Sequence, residues 1–383
     1  MARDEDPPEA PAPPAPPRDP LPRSVRSRAL ALGAQHTCLL DSHEVRCWGS
    51  GRFGQLGPSY ANLEPHYRAF ERRAGEPFGS FVQLESGAWH SCALEAGGEV
   101  RCWGHGGYGQ LGQGDADARE PVVFPVDGVV AMALGHRFTC VLRENGRVWC
   151  AGEAGPLRWP EPEPLEGVDA LHIRAGRAHL CTVLRTGSVR CFGENLDAQL
   201  GDGTRSLGGA GDALALEADG PERGLRLVLG GAESCYLAEG GGACWGRNDS
   251  FQLGDGAGDA MTALRSPRAI APADAMAFGS RYACKLAEGR VACRGLGHRG
   301  QIGDGGRRLR RSWTPVRRLR GASQIGAGAA HACAIVGRRV WCWGANRRGQ
   351  LGDGTQTDRA TPVRVAGVRL LELNGPPGIG CES

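Results

Sequence analysis

The chain has 383 residues, a formal net charge of +3 and 41% hydrophobic residues. That is enough apolar material for a core and too little charge to impose a nucleic-acid partner. No uninterrupted apolar run reaches the length of about 18 residues that a spanning helix needs, so no membrane span is expected.

Residues 1–24, MARDEDPPEAPAPPAPPRDPLPRS, hold nine prolines and almost no large apolar side chain. This composition predicts a disordered or polyproline tether ahead of one domain over 25–383. No apolar signal-peptide core lies within it.

From residue 29 onward the chain repeats itself, which overrides any domain count from length. A short apolar stretch ends in glycine, as in ALALG (29–33) and VVAMALG (129–135). Two cysteines follow in each unit: Cys38 and Cys47, Cys92 and Cys102, Cys140 and Cys150, Cys181 and Cys191, Cys235 and Cys244, Cys284 and Cys293, Cys333 and Cys342. A glycine-rich phrase comes next, most complete as CWGANRRGQLGDGT (342–355), and then a variable loop and a stretch such as TPVRVAG (361–367). The glycine content, 61 residues, is about twice the average share and fits such turns.

The cysteine spacing is that of a β-hairpin. In CKLAEGRVAC (284–293), placing the cysteines opposite each other leaves the two-residue turn Glu288-Gly289. In CVLRENGRVWC (140–150) it leaves a three-residue turn ending at Gly146, where such turns need glycine; Gly98 and Gly187 match it. Opposed residues have Cα atoms about 4.5–5.5 Å apart, within reach of a disulfide. Reduced buried cysteines are the plainer reading, and a zinc site could use the His-x-Cys pattern at His36, His90, His179 and His331. Phe138, Glu233 and Tyr282 stand there in the other units, so disulfides are the better expectation, and they imply an oxidising compartment. An export segment or lipid anchor upstream is therefore expected. Cys381 is left over.

Seven units of four short strands predict an all-β fold, a seven-bladed β-propeller. The units resemble the regulator of chromosome condensation repeat, whose consensus carries G-x-x-H, G-x-V-x-x-W-G-x-N and G-Q-L-G. The resemblance covers residues 29–381 and is to a bacterial secreted-type member. It implies seven blades, in agreement with the hairpin count. One unit departs: after Cys150 the chain reads AGEAGPLRWPEPEPLEG without GQLGDGT, which predicts a shortened outer half.

Catalytic, metal and cofactor sites are not expected: nucleophile elbow, phosphate loop and HExxH are all missing from the sequence. The GDGT stretches suit turns, and Asp202, Asp255, Asp304 and Asp353 give one carboxylate per turn, too few for calcium. An ultraviolet-receptor activity implied by some relatives needs clustered tryptophans in the glycine–histidine turns, where only Trp89 stands. Strand alternation puts the loops between strands one and two and between strands three and four on one side, and the length variation lies there. That side is the expected partner face, with Tyr60, Tyr67, Phe70, Arg72, Arg73, Trp89, Arg310, Arg311 and Trp313 as anchors. The basic run 307–320 could attract nucleic acid, but the small net charge makes that partner unlikely.

The expected function is a monomeric, non-catalytic protein-binding propeller, secreted or held at a cell envelope, needing no cofactor. The alternative implied by relatives is a guanine-nucleotide exchange factor for a small GTPase, acting in a reducing cytosol. Intact mass should rise by about fourteen hydrogens on reduction, two per bridge; alkylation of every thiol without reductant would contradict the oxidised reading. Each bridge closes about ten residues and contributes roughly 2–3 kcal/mol. The double variant Cys140→Ser/Cys150→Ser should therefore melt earlier but still as a folded ring.

Overall fold

The computed structural model describes residues 28–42, 44–57, 81–214, 226–238, 241–253, 261–262 and 268–370. The proline-rich segment and Cys381 lie outside them.

The described residues form 28 strands, grouped into seven antiparallel sheets around one ring. Blade I holds β1 (Arg28–Leu32), β2 (His36–Asp41) and β3 (Glu44–Gly49). Blade II holds β4 (Phe81–Ser86), β5 (His90–Glu95), β6 (Val100–Gly104) and β7 (Ala118–Phe124). Blade III holds β8 (Val129–Leu134), β9 (Arg137–Arg143), β10 (Val148–Ala154) and β11 (Leu157–Pro164). In blade IV, β12 (Ala170–Ala175), β13 (His179–Leu184), β14 (Val189–Gly193) and β15 (Gly209–Leu214) follow. Blade V runs through β16 (Arg226–Leu229), β17 (Glu233–Ala238) and β18 (Gly241–Arg247), against which β19 (Met261–Thr262) and β20 (Arg268–Ile270) both pair. Blade VI has β21 (Ala275–Phe278), β22 (Tyr282–Ala287), β23 (Arg290–Gly295) and β24 (Arg310–Pro315). Blade VII has β25 (Ala322–Ala327), β26 (His331–Val336), β27 (Arg339–Gly344) and β28 (Arg359–Arg364). The chain is a seven-bladed propeller built on four-stranded blades, as the sequence predicts; among the described residues blade I shows three strands, and blade V has two short strands, β19 and β20, in the outer position.

The cysteines of each unit sit directly opposed in the central hairpin of their blade and are bridged. The pairs are Cys38–Cys47 in blade I, Cys92–Cys102 in II, Cys140–Cys150 in III and Cys181–Cys191 in IV. Cys235–Cys244, Cys284–Cys293 and Cys333–Cys342 follow in blades V to VII. Their Cα atoms are 4.1 Å apart in the first six pairs and 4.0 Å in the last. The expected turns form: Gly98, Gly146 and Gly187 have φ of 88°, 86° and 84°, and Glu288-Gly289 turns with φ of 51° and 70°. The paired sulfurs, buried in the blade cores, are unavailable to a metal, which overturns the zinc alternative. Blade III corrects the sequence reading as well. Its outer strand β11 is complete at eight residues, and only the loop before it is lost.

Neighbouring blades are joined by a hydrogen bond that the G-x-x-H pattern supplies. Each buried imidazole crosses to a hydroxyl one residue past the equivalent position in the next blade. His36 Nε2 lies 3.0 Å from Ser91 Oγ, His90 Nε2 3.0 Å from Thr139 Oγ1, His179 Nε2 2.9 Å from Ser234 Oγ, and His331 Nε2 2.9 Å from Thr37 Oγ1. The last of these closes the ring. Where the histidine is replaced, the hydroxyl across the seam is gone too: Phe138 precedes Leu180, Glu233 precedes Ala283 and Tyr282 precedes Ala332. Tyr282 instead donates its hydroxyl to the carbonyls of Gly328 and His331. The glycine three residues earlier is required, because a Cβ on Gly33, Gly87, Gly176 or Gly328 would collide with the imidazole lying across it.

A second seam bond runs the other way. The indole N–H of Trp48, Trp103, Trp245 and Trp343 donates to the main-chain carbonyl of Gln350, Gln55, Gln199 and Gln301 in the preceding blade, at 2.9–3.1 Å. Blade IV has Phe192 in place of the tryptophan, and blade III before it has no GQLG. Apolar seams complete the closure: Leu39 and Trp48 of blade I pack with Ile335, Val340, Leu351, Val368 and Leu370.

Thr37 Oγ1 and Ser234 Oγ each donate onward, to the carbonyls of Gln350 (3.0 Å) and Gln199 (2.8 Å). They must then accept from the imidazole, which fixes His331 and His179 as neutral Nε2–H tautomers. Among the described residues, Nδ1 of His36, His90, His179 and His331 finds no partner. A second proton would be buried uncompensated. Burial accordingly lowers these four from the ordinary 6.5 to about 4 for His36 and about 3 for the others. Each contributes stability that is fully present above pH 6.5 and is lost as pH falls through 4 to 3. A shift of this size is on the order of 3 kcal/mol per histidine. Glu233 acts with the opposite sign. Burial raises it from 4.5 to about 7, against hydrogen bonds from Gln252 and the Ala232 N–H. Its contribution is present below pH 4.5 and lost as pH rises through 7. Chemical denaturation across pH 4–8 should show stability rising steeply from pH 4 to 6.5. Glu233→Gln should steepen that rise between pH 4.5 and 7, and His331→Gln, which removes one of four such histidines, should make the acid limb shallower.

Candidate functional site

Hydrogen bonding fixes which loops share a face. The strand-one-to-two turn and the strand-three-to-four loop are tied together in six blades, for example Ser50 N–H to Gln35 O and His105 N–H to Trp89 O, both 2.9 Å. On the opposite side the cysteine turns hold the blade-to-blade links, as in Val129 N–H to Gly98 O (3.3 Å) and Ala170 N–H to Gly146 O (2.8 Å). The sequence expectation about loop sides is met.

The repeated phrase builds a rigid knob on the loop face. Its glutamine Oε1 accepts the main-chain N–H two residues back, at 2.9 Å for Gln55, Gln110, Gln199, Gln252, Gln301 and Gln350. Asn346 Oδ1 accepts the Leu351 N–H at 2.9 Å, and its amide donates to Asp353 Oδ1 at 2.9 Å. Asp353 also accepts from Thr355 N–H (3.0 Å), Thr355 Oγ1 (2.7 Å) and Arg359 Nε (2.8 Å). Burial opposes ionisation of Asp353, but the bonds from Thr355, Arg359 and Asn346 outweigh it and hold the carboxyl below its ordinary value. Asp202 is arranged likewise around Thr204 and Asn195. These aspartates spend their oxygens on the turn, the structural role the sequence suggests. Asp255 lies outside the described residues. Among the described residues, groups of His, Cys, Asp and Glu that could hold a metal are absent.

On these knobs sits an aromatic cluster spanning blades I to III. Trp89 and His136 come from the strand-one-to-two turns; Phe53, His105 and Tyr108 come from the three-to-four loops. Ring centroids are 4.7 Å apart for Phe53–His105 and Trp89–His136, 5.5 Å for His105–Tyr108, 5.9 Å for Phe53–Trp89 and 6.0 Å for Trp89–His105. Arg52 lies 5.4 Å over Phe53 and Arg137 4.2 Å over Tyr108. All five rings are half-buried, so they are held from below and open above. Burial, then the cations of Arg177 and Arg137, lowers His136 to about 4, and the cluster therefore carries a neutral imidazole there at neutral pH.

Of the residues expected to anchor a partner, Trp89 is at the centre of this cluster. Tyr60, Tyr67, Phe70, Arg72 and Arg73 lie outside the described residues. Arg310 is drawn into its own blade, Nε 2.6 Å from Asp304 Oδ2, repeating the Arg359–Asp353 pair. Arg311 lies 4.9 Å over Phe251 on blade V, and Trp313 packs beneath Arg294 (5.0 Å) and Lys285 (5.2 Å). These three are remote from Trp89 in blade order. The basic run is also divided: Arg310 and Arg311 are on the outer strand β24, whereas Arg317, Arg318 and Arg320 lie in the link to blade VII, where the Arg317 N–H donates to Gly303 O of the knob at 2.9 Å. Phe53, His105, Tyr108 and His136 were not singled out by sequence. The available signal was position: each falls in a turn that the four-strand count assigns to the loop face.

A closed ring of like blades carrying loops on one rigid face is a β-propeller. Residues 28–55, 81–110, 129–154 and 339–371 match the regulator of chromosome condensation (RCC1) repeat. Those segments carry the repeat of that family. The chain is 32% identical over 203 residues to RCC1 domain-containing protein 1 of Homo sapiens, covering 49% of this chain and 50% of that protein. It is 33% identical over 194 residues to the ultraviolet-B receptor UVR8 of Arabidopsis thaliana, covering 45% and 43%. The chain spans half or less of the length of these relatives. Among solved structures, Prp20p of Saccharomyces cerevisiae, described with its binding to Gsp1p and histones, superposes with a TM-score of 0.70 at 19% identity, over 88% of this chain and 87% of that one. Human WBSCR16 gives 0.68 at 21% identity, over 84% and 93%.

The knob makes one test. Asp353→Ala strands four donors, on Asn346, Thr355 and Arg359, and should cost about 1–3 kcal/mol in thermal or denaturant unfolding. If Asp353→Ala unfolds like the parent, the turn is not held by this carboxylate.

Proposed function

We propose that this chain is a non-catalytic propeller that binds another protein outside the cytoplasm, with the partner seated on the loop face. The observation that carries this is the half-buried cluster of Phe53, Trp89, His105 and Tyr108 with Arg52 and Arg137 beside it. Aromatic side chains and arginine are the residue types that dominate binding energy at protein interfaces. The rigid knobs beneath hold them without added ordering cost on binding. The opposite face offers short turns whose main-chain groups are already committed to neighbouring links. Seven disulfides support an oxidising environment and favour this reading over an exchange factor in a reducing cytosol. Among the described residues, no helix is long and apolar enough to cross a membrane.

The experiment is capture of partners from the envelope and extracellular fractions of the source, without reductant. The variant Phe53→Ala/Tyr108→Ala should lose the captured protein, weakening binding by at least about 30-fold, while its circular dichroism stays unchanged. Replacing Glu144-Asn145-Gly146 with another glycine-ended turn should leave capture intact. Loss at the turn and retention in the double variant would put the working face on the other side.

A further inference from the structure

The chemistry of the cluster narrows what can sit on it. Its two flanks are cationic and open. Arg52, exposed, leans over the Phe53 ring at 5.4 Å. Arg177, also exposed, stands at the other end, where its carbonyl accepts the His136 N–H at 2.8 Å. Among the described residues neither guanidinium has a carboxylate within ion-pair distance. Four other arginines around the loop face are compensated: Glu153 is shared between Arg137 (3.8 Å) and Arg158 (3.6 Å), and Asp249 between Arg247 (2.7 Å) and Arg281 (3.3 Å). Arg347 and Arg348, in the three-to-four loop of blade VII, are likewise exposed with no carboxylate among the described residues, but Arg52 and Arg177 are the two that bracket the aromatic floor.

We infer that the Phe53–Trp89–Tyr108–His136 floor, bracketed by Arg52 and Arg177, docks an acidic, proline-containing extended polypeptide segment of the partner. This rests on the protein-binding reading above and names the partner's chemistry. Extended proline segments dock on aromatic-lined surfaces because their conformation is already ordered, and the apolar pyrrolidine faces fit between rings. Carboxylates on either side of such a segment would meet the two open guanidinia, which bind carboxylates bidentately. A single-stranded nucleic acid is also anionic and stacks on aromatics, but it needs ring faces presented in succession and a continuous cationic track. Here the rings meet at 49–77°, edge or tilted, and so present no succession of stacking faces. The oxidised cysteines favour the peptide again.

The test is fluorescence anisotropy on the full chain, using a fluorescein-labelled decapeptide of alternating Glu and Pro, its Gln–Pro counterpart and a labelled oligothymidylate. The Glu–Pro peptide should bind at least about tenfold tighter than the Gln–Pro peptide at about 0.1 M salt. That preference should collapse toward parity at about 1 M, where the screening length falls from about 10 to about 3 Å. Trp89→Ala should weaken both peptides about tenfold. Arg52→Glu/Arg177→Glu should abolish the acidic preference and admit a Lys–Pro peptide, with thermal melting confirming that the ring is intact. Equal binding of the Glu–Pro and Gln–Pro peptides, no binding of the Glu–Pro peptide, or tighter binding of the oligothymidylate would each overturn the inference. If the charge-reversed chain still captures its natural partner while Phe53→Ala/Tyr108→Ala does not, the docking face stands and the acidic segment is rejected.

Discussion

Each seam that carries a G-x-x-H histidine depends on a neutral imidazole in a place that water cannot reach. A blade alone has two apolar faces to cover, and dispersion between blades is non-directional. The bond from His36 to Ser91, repeated at His90, His179 and His331, gives that packing a register. Its two partners come from different repeats, and they vary together. Phe138 with Leu180 and Glu233 with Ala283 are seams in which both the donor and the hydroxyl have gone, so no hydroxyl is left buried and unpaired. The indole bond from Trp48 to Gln350 varies more freely: it is lost at Phe192, where the preceding blade has no GQLG, but also at Ala151 and Arg294, where the preceding blades keep Gln110 and Gln252.

The working face follows from this register. The His90 imidazole sits at the start of strand two, so Trp89 just before it is pinned at the rim of the loop face, while His136, two residues before Phe138, is held by its N–H to Arg177 O at 2.8 Å. The knob glutamines pin the other half, and Phe53 and Tyr108 each donate their own N–H to one of them. Structural hydrogen bonds therefore end one or two residues away from the exposed rings. Disulfides staple each hairpin within a blade, and the seam bonds orient blade against blade. The cluster draws on three blades, stapled by Cys38–Cys47, Cys92–Cys102 and Cys140–Cys150, and needs both kinds of bond.

Much of this was legible in the sequence, because the repeat reads like an alignment of the chain with itself. Nine- and ten-residue cysteine spacings could be satisfied together only by hairpins of two turn lengths, and Gly146 and Gly289 marked which was which. The loop side followed from counting strands. The histidines' role was hidden, since His90 and Thr139 stand 49 residues apart and the pairing appears only when position and successor are compared across units. Phe53, His105, Tyr108 and His136 were hidden for a different reason: none recurs, so repetition gives no signal, and only the ring brings them together. Arg310, expected from its basic run to anchor a partner, is claimed by the local turn for Asp304. The complete β11 was missed because LRWPEPEP, with its three prolines, reads poorly as a strand, although an outer strand with one free edge tolerates proline.

The most direct measurement is a double-mutant cycle at the seam between blades II and III, copying into it the apolar pair found one seam further on. His90→Phe and Thr139→Leu are made singly and together, and each is unfolded in denaturant. Each single change should cost about 1–3 kcal/mol, by stranding a buried partner or overfilling the seam. The double variant should regain at least half of the summed loss, because it reproduces the arrangement of Phe138 and Leu180. Losses that simply add would contradict the account, showing that His90 and Thr139 contribute separately and that the ring takes its register from something other than this bond.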